Sequence, residues 1–291
     1  MSYERIRWDV PAAHVGRITL ARADKRNAQD RKMLYELDAA FSEAMRDDAI
    51  KVVILAADGP DFSSGHDLSD RQPVTDFETV TQTGGFGEPG QHGMMAGEEE
   101  FYLGFCWRWR NLPKPTIAQV QGRVMAGGLM LVWPMDLVIA SSDARFTDPV
   151  VALGVNGHEF FVHAWELGHR KAKEMLFRGG FLTADECHRL GMINHVVPVE
   201  ELESFTLEVA SEIAKRPAFG LKLAKLSVNA SLDAQGQYNA VQAAFGLHHL
   251  GHANNRIVHD MAIDPAGVQI IRDTGRGEAQ RAGTEGEGKA E

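Results

Sequence analysis

Residues 16–57 carry the pattern that most restricts the fold. The run "GRITLA" (16–21) reads as a short buried strand. In "RKMLYELDAAFSEAMRDD" (31–48), Met33, Leu34, Leu37, Phe41 and Met45 recur at helical spacing and share one face. "KVVILAA" (51–57) is short, β-branched and without polar alternation, as a strand covered on both faces must be. Strand, helix and covered strand in that order predict a βαβ unit, a mostly parallel sheet and an α/β fold. "TIAQVQGRV" (116–124) and "DLVIAS" (136–141) read as further strands.

A chain of 291 residues, 44% hydrophobic and 24% charged, can bury a sizeable core as one large domain or two small ones. Its net charge of −10 argues against a nucleic-acid partner, although a local cluster of cations can still take a phosphorylated ligand. No apolar run is long enough to cross a membrane, and "MSYERIRWDV" lacks a hydrophobic signal core, so a cytoplasmic location is expected. Cys106 and Cys187 form no CxxC pair.

The segment 72–100 is rich in Gly, Thr and Glu, has no sustained period and is expected to be an irregular insert or lid. From about residue 160 the chain turns helical. Thr183 and Glu186 are spaced as a capping box and Gly191 as the stop. These readings divide the chain into a core over 1–200, a helical C-terminal region over 201–272 and a polar, Gly-rich tail over 273–291, expected to be disordered.

Four stretches in order carry a likeness that periodicity alone does not supply. They are "RADKRNAQD" (22–30), "DFSSGHDLSD" (61–70), "PKPTIAQVQGRVMAGGLMLVWPMDLVIASSDARF" (113–146) and "FLTADECHRLGMINHVV" (181–197). Together they resemble the crotonase superfamily, the enoyl-CoA hydratase/isomerase family. The resemblance implies a ββα spiral core, a C-terminal helical region that serves oligomerisation, and homotrimers that pair into hexamers. It also implies an acyl-CoA thioester as substrate, with no cofactor beyond the CoA moiety. The backbone N–H groups of His66 and Gly127 would form an oxyanion hole. Two such donors stabilise a developing enolate, and losing one costs about 3–4 kcal/mol. A glycine at 127 would let the backbone approach the substrate closely.

Hydratases of this family use two glutamates. The matching positions here are Met130 and Val150, neither of which can move a proton. Ordinary hydration is therefore not expected. Asp148 is one replacement, with a pKa expected to rise if it faces the thioester among apolar neighbours. His158 and Glu159, adjacent in sequence at a helix entrance, are another acid/base pair. The ring of His66 can also face the pocket, while Asp67 is expected to cap the following turn.

Lys25 and Arg26 suit the phosphates of the ADP part of CoA, beside Ala28 of the family's "NA" pair. Ser63 and Ser64 would offer backbone polar groups to the adenine or pantetheine. The aromatic residues of "FYLGFCWRWR" (101–110) either line an acyl pocket or belong to the core.

"GFGEPG" (85–90) follows no strand and opens no helix, so it fails as a dinucleotide fingerprint, and no G-x-S-x-G is present. His248, His249, His252 and His259 cluster in "LHHLGHANNRIVHD", with His248 and His252 on one helix face. Without H-E-x-x-H and by likeness to a metal-independent family, no metal is expected. A subunit interface or the rim of the CoA site is the expected use. Three functions follow: an acyl-CoA-processing lyase or isomerase, a catalytically silent acyl-CoA-binding protein, or a C–C bond hydrolase acting on a diketone without CoA.

Overall fold

A computed structural model describes residues 3–81 and 84–276. In chain order the strands are β1 (Ile6–Ala12), β2 (Val15–Leu20), β3 (Val52–Ala57), β4 (Thr116–Val120), β5 (Arg123–Met125), β6 (Leu137–Ser141), β7 (Arg145–Thr147), β8 (Leu182–Thr183) and β9 (His195–Val197). The α-helices are α1 (Arg31–Arg46), α2 (Gln91–Glu98), α3 (Phe105–Arg110), α4 (Leu129–Val132), α5 (His163–Arg178), α6 (Ala184–Leu190), α7 (Leu202–Ala214), α8 (Ala218–Ala234) and α9 (Gln237–His259).

The strands form two sheets. The larger has the order β1-β2-β3-β4-β6-β9 and is parallel except for the β1–β2 hairpin. The smaller has the order β5-β7-β8. Each turn of the chain gives one strand to each sheet and then a helix: β4, β5 and α4, followed by β6, β7 and α5. The expected strand over 116–124 is thereby split. Gly122 makes the corner at φ +58°, where a Cβ would lie 1.9 Å from the carbonyl oxygen of Pro60.

The β3 sequence has no polar alternation because both faces are covered. Val53 and Leu55 join the core under α1, with Met33, Leu37 and Phe41. Val52 and Ile54 face the opposite side, where Leu202, Ala210 and Ala214 of α7 cover them. Asp30 caps α1 by accepting the Met33 N–H at 2.8 Å. Thr183 and Glu186 form the anticipated capping box of α6, and Gly191 ends that helix in the left-handed conformation.

Two expectations are corrected. The segment 72–100 is irregular only in its first part. Helix α2 begins at Gln91, a π-helical stretch covers Glu99–Gly104, and α3 follows. Gly93 and Gly97 weaken helical propensity here, and contacts with α9 hold α2 instead. In the tail, residues 273–276 continue a helix that starts at 267, and 277–291 lie outside the described residues. Among the described residues no helix is long and apolar enough to cross a membrane.

Helix α8 buries only Lys225, whose ammonium meets Asp136 at 2.8 Å. It leaves Phe219, Leu223, Leu226 and Val228 exposed.

Candidate active site

The loop 63–66 runs alongside β5. Ser63 pairs in parallel with Val124, donating to Arg123 O at 3.1 Å and accepting from Met125 N at 3.0 Å. His66 and Gly127 lie equally far beyond this couple. Gly65 has φ +92°, and its Cβ would come within 3.2 Å of Gly127 N, so the two loops touch. Gln29 ties them from beneath, donating from Nε2 to Gly127 O at 2.8 Å. Among the hydrogen bonds of the described residues, the N–H groups of His66 and Gly127 have no acceptor. Ala126, between the loops, is held at φ +46°, which is strained for a residue with a Cβ.

The neighbour that requires glycine at 127 is a side chain. A Cβ there would lie 2.4–2.8 Å from the His66 ring. That ring sits between Gly127 and Tyr102, stacked on the latter at 3.8 Å between centroids. Its Nε2 meets Glu159 Oε2 at 3.2 Å, and its buried Nδ1 has no partner among the described residues. Nε2 therefore carries the proton given to the carboxylate, and in the neutral tautomer Nδ1 holds the lone pair.

Glu159 is buried at 4% exposure. Burial alone would raise its carboxyl pKa, but the His66 and His248 imidazoles hold it below the ordinary range. It precedes α5, which starts only at His163, and so it is not a helix-terminal charge. His158 points elsewhere. Its ring centroid lies 5.0 Å from that of Trp133 and 4.6 Å from that of His163, with both nitrogens buried and unpartnered among the described residues. Burial pushes its pKa down to about 3, so the ring is neutral. The adjacent pair read from the sequence is thus divided, and the partner of Glu159 is His66.

Asp148 does not show the expected rise. Val150 lies in a short 3-10 turn, so the strand alternation that would have aimed both residues alike is absent. The Asp148 carboxylate is fully buried and accepts from His163 Nε2 at 2.8 Å, His158 N at 2.9 Å and Val150 N at 3.4 Å. Burial would raise its pKa, but the His163 hydrogen bond and the neighbouring imidazoles lower it. It is a structural anchor for 158–163. Met130 and Val150 are both buried. Asp67 caps its turn as expected, accepting from Ser69 N at 3.0 Å and from Arg22.

A second group lies behind Glu159. His248 Nε2 is 3.6 Å from Glu159 Oε1 and 3.7 Å from Glu98 Oε2. His249 Nε2 and His252 Nε2 stand 3.3 and 3.9 Å from the same Glu98 oxygen. All four residues are buried. Burial and the charge of Glu159 raise the Glu98 carboxyl, while burial holds His249 down at about 4 and lowers His252. These four residues of the cluster therefore lie in the interior of the chain.

Arg26, Arg123, Arg145, Arg272 and Arg276 line a groove of about 570 Å³ that Met125 joins to the Gly127 loop. Asp61 orients Arg123 with two bonds of 2.8 and 2.7 Å. Lys25 is exposed outside this lining. Ser63 does not offer its backbone, since both groups are engaged and its hydroxyl donates to Asn27 O at 2.8 Å. The N–H of Ser64 goes to Arg26 O, and the N–H of Ala28 to Lys25 O. Glu98 was not foreseen, because nothing in "GMMAGEEE" separates it from its acidic neighbours. Tyr102 was one of several aromatic residues at 101–110, singled out only by its place on His66.

The sequence model described as enoyl-CoA hydratase/isomerase matches residues 11–257, and the chain belongs to that family of enzymes. A Mycobacterium tuberculosis protein named as a candidate enoyl-CoA hydratase, EchA13, is 44% identical over 260 residues, covering 87% of this chain and 82% of that protein. The crystal structure of a probable enoyl-CoA hydratase from Mycobacterium thermoresistibile superposes with a TM-score of 0.82 at 44% identity, covering 89% of this chain and 99% of that one. A probable enoyl-CoA hydratase from Mycobacterium smegmatis gives 0.80 at 45% identity, over 89% and 98%.

Proposed function

We propose that the protein binds an acyl-CoA thioester and moves a proton at the carbon next to the thioester carbonyl, with His66 as the base and Glu159 as its orienting carboxylate. The observation that carries this is the part-buried His66–Glu159 contact of 3.2 Å beside Gly127, with Nδ1 unpartnered among the described residues. Glu159 fixes the tautomer and stabilises the imidazolium formed when Nδ1 accepts the proton. The electron pair left on the substrate moves to the thioester oxygen, where the N–H groups of His66 and Gly127 receive the charge. Asp148 and His158 have no part in this transfer.

Double-bond isomerisation fits this pair better than hydration. A shift of one proton along the acyl chain needs a single group that takes and returns it. Hydration needs a second group to hold water, and Met130 and Val150 supply none. The arginine-lined groove favours a CoA-bearing substrate over a diketone without CoA, because guanidinium groups match phosphates. The fit of Arg26 with the CoA phosphates belongs to this same reading.

A panel of enoyl-CoA thioesters with mass spectrometry of the products tests the reading. Migration of the double bond, lost in Glu159→Gln, is the expected result. Brisk hydration of crotonyl-CoA would refute the argument from Met130 and Val150. Tight binding with no turnover of any thioester would identify a silent acyl-CoA-binding protein.

A further inference from the structure

We infer that Glu98, His248 and His252 form a binding site for a divalent transition-metal ion of the zinc class. The site fastens α2 to α9 behind Glu159. The inference departs from the metal-free expectation and stands whether or not His66 is the catalytic base.

The tautomers of two histidines are fixed by the backbone. His248 Nδ1 lies 2.8 Å from Gly157 O, and His252 Nδ1 lies 2.6 Å from Ala262 O. A carbonyl accepts only, so both Nδ1 atoms carry protons, and in the neutral rings both Nε2 atoms present lone pairs. Those two Nε2 atoms face each other at 2.9 Å. Two bare lone pairs repel at that distance, so a cation must lie between or beside them. One shared proton would satisfy this pair alone. It would leave Glu98 Oε2 and His249 Nε2, buried and 3.3 Å apart, without an aligned hydrogen bond among the described residues. A metal ion satisfies the pair and the carboxylate together.

The spacing agrees. Zinc bonds of about 2.0–2.1 Å place tetrahedral ligands about 3.3 Å apart. The edges here are 2.9, 3.7 and 3.9 Å, with His249 Nε2 at 3.3 Å from the shared carboxylate oxygen. Imidazoles that donate Nδ1–H to carbonyls while Nε2 faces a common centre have the support expected around metal ligands. His249 joins the pattern when the Gln91 amide, 2.5 Å from its Nδ1, is turned to present its oxygen, which frees Nε2 as a fourth ligand. Charge also favours a dication, since Glu98 and Glu159 both flank His248. The other buried trio, Asp148, His158 and His163, lacks this character because the Asp148 oxygen nearest the rings is already taken by His163 Nε2 and His158 N.

Untagged full-length protein, purified without chelators and dialysed, is analysed for metals, then stripped and titrated with Zn²⁺ and Co²⁺. The expected result is about one ion per chain, with visible ligand-field bands on Co²⁺ binding. His252→Ala and the milder Glu98→Gln each weaken Zn²⁺ binding at least about tenfold, and His169→Ala, at an exposed position, leaves it unchanged. The inference is overturned if the unmodified protein takes up no Zn²⁺ at micromolar concentration and nitrogen NMR shows a proton shared by His248 and His252. Undiminished binding in both variants would overturn it equally. If His252→Ala does not fold, Glu98→Gln and the titration of the unmodified protein still decide.

Discussion

Gly127 is held to glycine by a neighbour far along the chain. Its Cα faces the His66 ring, and a methyl group would meet ring atoms at 2.4–2.8 Å. Gly127→Ala is therefore expected to push the ring out of its place against Tyr102. The cost is about 1–3 kcal/mol of stability and a fall in kcat/KM, both measurable by urea unfolding and steady-state kinetics. His158 gives a pH prediction. Its ring is neutral in the folded protein down to about pH 3, whereas in the unfolded chain it takes a proton below about 6.5. The unfolded state binds more protons in that window, so stability falls with acidification by about 1.4 kcal/mol per pH unit. His158→Phe keeps the tilted ring contact with Trp133 and loses no hydrogen bond, because neither ring nitrogen has a partner among the described residues. The acid limb of stability, followed by urea midpoints between pH 6.5 and 4, should flatten in that variant, and an unchanged limb would contradict the assignment. The sequence pairs Glu159 with the adjacent His158, whereas in the fold its carboxylate meets His66. Its partner is 93 positions away, and no local pattern reports such a distance.

Elements with strong local signals behaved as their sequences predict. Helix α1 has an apolar stripe and an Asp cap, and α6 has a capping box with a terminal glycine. Thr183→Ala should cost about 1 kcal/mol, since it leaves the Glu186 N–H without its acceptor. Thermal or chemical unfolding checks this, and a loss near zero would mean that the box is incidental. Helix α2 shows the opposite case. Its glycines and mixed polarity carry little helical signal, and contacts with α9 make it fold. The π-helical turn after it places Tyr102 against His66. Neither feature has a local code, which is why Glu98 and Tyr102 were not foreseen as neighbours of Glu159.

For the molecule as a whole, the parallel sheet was legible from β3, whose two faces are covered by different layers of the same chain. The splitting of 116–124 between two sheets was not, because it depends on a close approach of Gly122 to Pro60. Helix α8 presents Phe219, Leu223, Leu226 and Val228 to solvent in a single chain. Such a face argues for burial against other copies. Sedimentation equilibrium is expected to give a mass three or six times that of the 32.0 kDa chain. A monomer at micromolar concentration would contradict this.

Proton transfer by His66, held by Glu159, would leave an isotopic trace in the substrate. It is tested most directly by following deuterium entry from D₂O into the carbon next to the thioester of a bound acyl-CoA. Exchange is expected in the unmodified protein, slowed by about 10²–10⁴ in both His66→Asn and Glu159→Gln, with Asp148→Asn close to the unmodified rate. Exchange that persists in His66→Asn, or that is lost in Asp148→Asn while the fold is intact, would contradict it.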